Sequence, residues 1–182
     1  DFEDYETAVT NYDESLEREP PVLVKAEILL EKAQSLAKLR KYDEARTALA
    51  SPLLQEVQEP EFITMMKGTL AECLLDEGKP AEADLIISEI LEIDPQNLNA
   101  LVLRGTLLQL NNQLPEAAQV LTQAVNSDPY DYTARFKLAQ VYQGLGNAEL
   151  AQTTLAKAEE LKALREKFSQ LHQDAAADLT NV

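Results

Sequence analysis

Apolar and small residues recur along this chain three and four apart, the spacing that lines one face of an α-helix, and proline, glycine and Asp-Pro pairs interrupt the pattern. Tyr5, Ala8, Val9, Tyr12 and Leu16 predict a first helix over 4–19, with Asp4 placed to cap its first turn and Pro20-Pro21 ending it. Leu23, Ile28, Leu29, Ala33 and Leu36 predict a second over 22–39. The short link Arg40-Lys41 leaves room only for an antiparallel return into a third, from Tyr42 to about Leu54. Ser51-Pro52 falls inside that third segment. The proline ring removes a backbone donor and crowds the preceding turn, so a kink or an early stop is expected there. After Glu59-Pro60, further helices are predicted over 61–76, from Pro80 to the break at Asp94-Pro95, over 97–110, 114–127 and 131–145, and from Asn147 onward. Gly78 supplies a turn, Pro80 sits in a first helical turn, and Asn97 and Asp131 occupy equivalent capping places. No stretch alternates polar and apolar residues long enough to demand a sheet.

A second, longer period lies over the first. Asp94-Pro95 and Asp128-Pro129 open two copies of one 34-residue unit, in which Gly105 pairs with Ala139, Leu108 with Tyr142, Ala117 with Ala151, Leu121 with Leu155 and Ala124 with Ala158. The same columns reach back along the chain. Small residues stand at Ala33, Ala71, Gly105 and Ala139 in the first helix of each pair, and at Ala8, Ala45, Ala83, Ala117 and Ala151 at the opening of the second. A large residue follows four places later as Tyr12, Leu49, Ile87, Leu121 and Leu155, and a proline closes the unit at Pro20, Pro95 and Pro129. Small side chains let two helix axes approach closely, and overpacking such a crossing costs about 1–3 kcal/mol.

This order of helix, tight turn, helix and Asp-Pro resembles the tetratricopeptide repeat (TPR) family over roughly residues 1–162. The resemblance implies an all-α fold: an antiparallel helix-pair solenoid wound as a right-handed superhelix, with about four and a half helix pairs and an extended C-terminal helix. The expected divisions are a half unit over 1–20 and units over about 21–60, 61–97, 98–131 and 132–162, with an extended capping helix over 163–177 and the start of a further, truncated repeat over 178–182. Successive opening alanines lie 37, 38, 34 and 34 residues apart, so the early units carry short insertions near Pro20-Pro21 and between Ser51 and Pro60. Pro52, Lys32 and Arg104 depart from the family pattern, and Ala163 stands where a final proline is usual. Asp1 falls at the turn before a second helix, and 178–182 echoes 94–98 with Asn181 as a cap, so the chain reads as a piece of a longer array.

Charge and composition narrow the function. Sixteen Lys and Arg against 32 Asp and Glu give a net charge of −16, which repels nucleic-acid phosphates and anionic lipid surfaces. No run of 18 apolar residues is present, so no membrane span is expected. A single cysteine, Cys73, forms no internal disulfide; this leans toward the cytoplasm, although a disulfide-free exported protein would look the same. The lone histidine, His172, has no evident nucleophile beside it, and Cys73 sits on the interior side of a helix. One His and one Cys cannot build a zinc cage, and Gly144-Leu145-Gly146 is a helix-ending turn, not a phosphate loop. The chain reads as a non-enzyme with no cofactor and no metal.

The resemblance further implies that a protein or peptide partner binds a concave groove lined by the first helices. Mapped here, that lining is Leu30, Gln34 and Lys38; Met65, Glu72 and Asp76; Asn99, Val102, Thr106 and Gln109; and Thr133, Phe136, Lys137, Gln140 and Gln143. Amides beside Met65, Val102 and Phe136 suit an extended segment, while Met65 and Phe136 filling gaps between helices is the alternative. TPR co-chaperones that hold acidic chaperone tails use Lys, Asn and Arg at set places. The matching places here hold Leu30, Gln34, Thr69, Asn99 and Leu103, or Gly68, Glu72, Leu103, Thr133 and Lys137, so that clamp is absent. The other reading of the chain is a structural spacer or self-association arm, using the stripe Leu161, Leu164, Phe168 and Leu171. The bland role of that stripe is to fold back as a cap.

Overall fold

The computed structural model describes the backbone of residues 2–180 and the side chains of residues 4–172. Among the described residues every regular element is a helix, and the chain forms two compact units, Asp1–Pro95 and Gln96–Val182. The first contains α1 (Phe2–Glu17), α2 (Val22–Lys38), α3 (Tyr42–Leu49), α4 (Pro52–Gln55), α5 (Pro60–Asp76) and α6 (Pro80–Ile93). In it α1 packs on α2, α2 on α3, α5 on α6, and α5 also lies against α2 and α3. The second contains α7 (Leu98–Leu110), α8 (Leu114–Ser127), α9 (Tyr132–Gly144) and α10 (Ala148–Thr180), with α8 against α7 and α9, α7 against α9, and α9 against α10.

One turn joins the two helices of every complete pair. Arg40, Gly78, Asn112 and Gly146 are left-handed, with φ of 61°, 75°, 58° and 77°. The residue after each donates its N–H to a carbonyl five places back: Lys41 to Leu36, Lys79 to Leu74, Gln113 to Leu108 and Asn147 to Tyr142, at 2.8–3.0 Å. The left-handed residue itself bonds three places back, which completes a Schellman motif and satisfies carbonyls that the helix end would leave open. Second helices therefore begin without a side-chain cap at Lys41, Lys79 or Gln113. First helices in the second unit are capped as expected: Asn97 accepts from the Ala100 N–H at 3.1 Å and Asp131 from that of Ala134 at 2.6 Å. Asp94 and Asp128, each before a proline, are extended at φ/ψ of −134°/92° and −133°/100°, which ends the helix.

One early element differs from expectation, and a second shows the early stop expected of it. α1 already runs from Phe2, so Asp4 lies inside its first turn and not before it. α3 stops at Leu49, and Pro52 starts the separate four-residue α4, in which the missing donor of proline is harmless at the first position. At the far end α10 continues through 178–180, where the echo of 94–98 places a break; Asn181 lies outside the described residues.

The repeat columns form the core. Ala33, Ala45, Ala71, Ala83 and Ala117 are fully buried, as are Ile87 and Leu121, while Ala8, Tyr12, Ala151 and Leu155 on α1 and α10 are only half-buried. Cys73 is enclosed with Leu36, Ala37 and Ala45. Burial first, then the charges of Glu72, Glu77 and Asp76, pushes its thiol up from 9.0 to about 11. Because the unfolded thiol ionises first, this residue favours the fold below about pH 9 and that contribution is lost as pH rises toward 11. At pH 8 the shift alone leaves roughly a hundredfold fewer thiolates than a free cysteine, so an aromatic disulfide reagent is expected to label Cys73 rapidly only in urea. Rapid labelling of the native chain would overturn this placement.

Candidate functional site: a slot between first helices

In the first unit α2 and α5 enclose an open cavity of about 370 Å³. Leu23, Ala26 and Leu30 of α2, Phe62 and Met65 of α5, and Val57 from the segment after α4 supply its apolar surface. Ala26, Leu30, Val57 and Phe62 are buried, whereas Leu23 is 60% and Met65 44% exposed, leaving two apolar side chains at the mouth in solvent. The rim is acidic: Glu27 and Glu31 on α2, Glu59 and Glu61 at the start of α5, with Gln34 as the amide.

Helical spacing explains the α2 wall. Leu23, Glu27, Leu30 and Gln34 fall on one stripe, and Glu31 stands one turn beyond Glu27. Glu61 lies in the first turn of α5, where the helix dipole favours a negative charge. No such benefit attends Glu27 and Glu31, which are like charges four apart and oppose the helix by a few tenths of a kcal/mol. None of the four carboxylates has a Lys or Arg partner among the described residues, although Asp13, Asp43, Glu72, Glu77 and Glu89 do. The negative character of this wall also reaches Tyr12, whose phenol is raised by burial first and by Glu31 second.

The remaining wall comes from an irregularity. The segment between Ser51 and Pro60 lengthens its unit; α4 packs against α2 through the buried Leu54, and the chain beyond it delivers Val57 and Glu59 to the slot.

Of the groove residues read from sequence, Leu30, Gln34 and Met65 meet at this slot. Lys38 and Glu72 form an ion pair that ties α2 to α5. Burial alone would lower the Lys38 ammonium, but the hydrogen bond and charge of Glu72 outweigh it and hold its pKa above the usual value. On α7, Asn99 is exposed, Thr106 and Gln109 are half-buried, and Val102 is buried, at 8% exposed. Leu101 and Leu103 on either side of it are buried as well, in a helix that is apolar on most sides. On α9, Thr133 and Gln143 are exposed, Gln140 is half-buried, and Phe136 is half-buried against Tyr132 with ring centroids 5.8 Å apart. Leu23, Ala26, Glu27, Glu31, Val57, Glu59, Glu61 and Phe62 are the slot residues that sequence reasoning missed. Glu27 was legible as a residue two turns before Gln34 along the lining stripe; Val57 and Glu59 belong to no periodic pattern.

The terminal stripe departs from a cap. Leu161 is buried, yet Leu164, Phe168 and Leu171 are 62%, 72% and 58% exposed. α10 has 33 residues and α9 only 13, so at 1.5 Å per residue the last part of α10 outruns the helix it packs on. His172 is exposed there. Among the described residues no grouping of His, Cys, Asp and Glu could hold a metal ion, and no helix is long and apolar enough to cross a membrane.

A family model described as tetratricopeptide repeat matches residues 107–175, and a second of the same description matches residues 1–57. The chain is similar to the DnaJ homolog subfamily C member 3 of Mus musculus, 27% identical over 154 residues that cover 80% of this chain and 31% of that protein. Its Homo sapiens counterpart is 26% identical with the same coverage, so the chain spans about a third of the length of the curated relatives it matches. Among solved structures it is similar to TTC0263, a thermophilic TPR protein of Thermus thermophilus, with a TM-score of 0.73, 20% identity, and 91% of this chain and 89% of that one covered. YrrB, described as a TPR protein with an unusual peptide-binding site, follows at a TM-score of 0.54 and 20% identity, with coverage of 88% and 79%. At these identities the likeness is one of fold.

Proposed function

Because this chain belongs to the tetratricopeptide-repeat family, whose fold serves protein–protein interaction, we propose that it holds a peptide or protein segment along the groove side of its first helices and catalyses no reaction. The observation that carries this reading is the open slot between α2 and α5, with an apolar floor and Met65 left exposed at its mouth. A polar rim over an apolar floor suits an extended segment that inserts a side chain while its backbone finds hydrogen-bond partners. Against catalysis, Cys73 is buried with its thiol pushed up to about 11, and His172 is exposed on a helix with no nucleophile beside it in sequence. Cys73 as the one cysteine of the chain suits a reducing compartment such as the cytoplasm.

Affinity capture from the source cell extract tests the reading. The chain is compared with two variants, Gln34→Ala with Met65→Ala, and Thr106→Ala with Phe136→Ala and Gln140→Ala, each first shown to melt as the parent does. A partner retained by the parent and reduced about tenfold or more by either variant is expected, because apolar anchors at such sites each carry about 1 kcal/mol or more. Equal recovery by all three overturns the groove.

The exposure of Leu164, Phe168 and Leu171 favours a second reading, a spacer or self-association arm, in which Leu161 begins a stripe that packs on another copy. Sedimentation equilibrium decides it. A dimer lost in the Leu164→Glu, Phe168→Glu double variant supports the arm, and a monomer at high concentration sinks it.

A further inference from the structure

We infer that the slot between α2 and α5 selects a cationic segment: an extended stretch with a large apolar side chain flanked by Lys or Arg. This rests on the reading of the first-helix groove as a peptide site and names the class of peptide.

Shape and charge point to it separately. The cavity of about 370 Å³ has room for one or two large side chains, and Leu30, Val57, Phe62 and Met65 offer an anchor only apolar contacts. Around that floor stand Glu27, Glu31, Glu59 and Glu61, with no cation on the rim itself. Elsewhere in the first unit some carboxylates are paired across helices, Asp13 with Lys32, Glu72 with Lys38 and Glu89 with Lys67, whereas among the described residues no Lys or Arg lines this rim, where Glu31 meets only the Tyr12 hydroxyl. Four unneutralised carboxylates around a low-dielectric floor concentrate negative potential at the mouth. An acidic segment would be repelled and a neutral one would leave the carboxylates unpaired. A segment carrying Lys or Arg on either side of its anchor satisfies both layers at once, and Arg can meet a glutamate in bidentate fashion.

A net charge of −16 attracts any polycation, so the test must separate the slot from the general field. Four synthetic peptides of equal length are titrated into the ¹⁵N-labelled chain at physiological salt. Three carry a central Leu-Phe flanked on each side by two Arg, two Gln or two Glu. The fourth keeps the Arg and replaces Leu-Phe by Ser-Ser. The expected result is that the Arg-flanked Leu-Phe peptide binds most tightly and shifts amides of residues 23–34 and 57–65. The Glu27→Gln, Glu31→Gln variant should weaken it about fivefold, as two partly exposed ion pairs warrant. That variant also removes a like-charge pair four apart on α2 and keeps an amide oxygen at position 31 to accept from the Tyr12 hydroxyl, so its melting temperature should stay level, and a level melt shows that weaker binding is not unfolding. Met65→Ser should weaken the same peptide independently.

If the Ser-Ser peptide binds as well as its Leu-Phe counterpart, the attraction is only the general field and the inference fails. It also fails if the two glutamate replacements leave the affinity unchanged. Tightest binding of the Gln- or Glu-flanked peptide at the slot overturns the charge selection and leaves the groove reading standing. If none of the four shifts these amides, the inference falls and the groove reading loses its slot as well.

Discussion

Leu121→Ala is expected to lower the free energy of unfolding by about 2–5 kcal/mol, the range for a buried leucine cut back to a methyl group. Leu121 has no exposed surface and packs with Ala117, Leu138 and Val141, so α8 can collapse into the void only by moving against α9. The partner residue makes the prediction sharper. A Cβ at Gly105 would stand 2.5 Å from Leu121 Cγ and 2.6 Å from Cδ2, and a side chain enclosed on every side cannot swing away. Gly105→Ala should therefore forfeit the roughly 1 kcal/mol that a helix gains from such a change and come out neutral or destabilising by about 1–2 kcal/mol. In the Leu121→Ala background the new methyl enters empty space, and the same substitution should become stabilising. Urea unfolding of the two single variants and the double gives a coupling of at least about 0.5 kcal/mol. Additive losses would mean that Gly105 and Leu121 do not share a crossing.

Ala117→Leu should cost about 1–3 kcal/mol, while Ala151→Leu, at the same place in the next pair, should cost distinctly less. The two alanines are equivalent in sequence but not in surroundings. Ala117 is fully buried where α8 meets α7 and α9; Ala151 is half-buried on α10, which packs on α9. Three added carbons must displace core at the first and can lean into solvent at the second. Thermal melts run side by side check this, and equal losses would show that helix spacing is set elsewhere.

The helices and the small-residue columns were readable because both obey periods that side-chain geometry imposes: three to four along a helix and 34 along the repeat. The Asn97 and Asp131 caps and the stop before Pro52 were readable for equally local reasons. Arg40 and Asn112 were not, since only Gly78 and Gly146 advertise a left-handed turn. At Arg40 the hydrogen bonds of the helix end force this backbone on a residue for which it costs about 1 kcal/mol or more, while Asn112 tolerates it more readily without marking the turn as glycine does. On α7 the period alone does not separate a groove residue such as Val102 from the core, because the helix is apolar nearly all round and buries more than one face. The slot was the least legible feature. Leu30, Gln34 and Met65 were found by period; Val57 and Glu59 arrive from a stretch with no period, and only packing shows where it goes.

That stretch has a consequence for how such an array could diversify. In a chain built of interchangeable units, adding or removing a whole 34-residue unit alters length while every joint stays the same. The aperiodic bridge from Ser51 to Pro60, like the shorter insertion near Pro20-Pro21, departs from that rule, a custom fitting between standard parts, and two of the residues facing the cavity belong to it. Trimming the bridge to the regular length would strip the cavity of Val57 and Glu59 and also take the buried Leu54 out of its packing against α2. Copying units thus changes the length of the array, while substitutions within these ten residues that keep Leu54 and Val57 apolar change the face that the cavity presents.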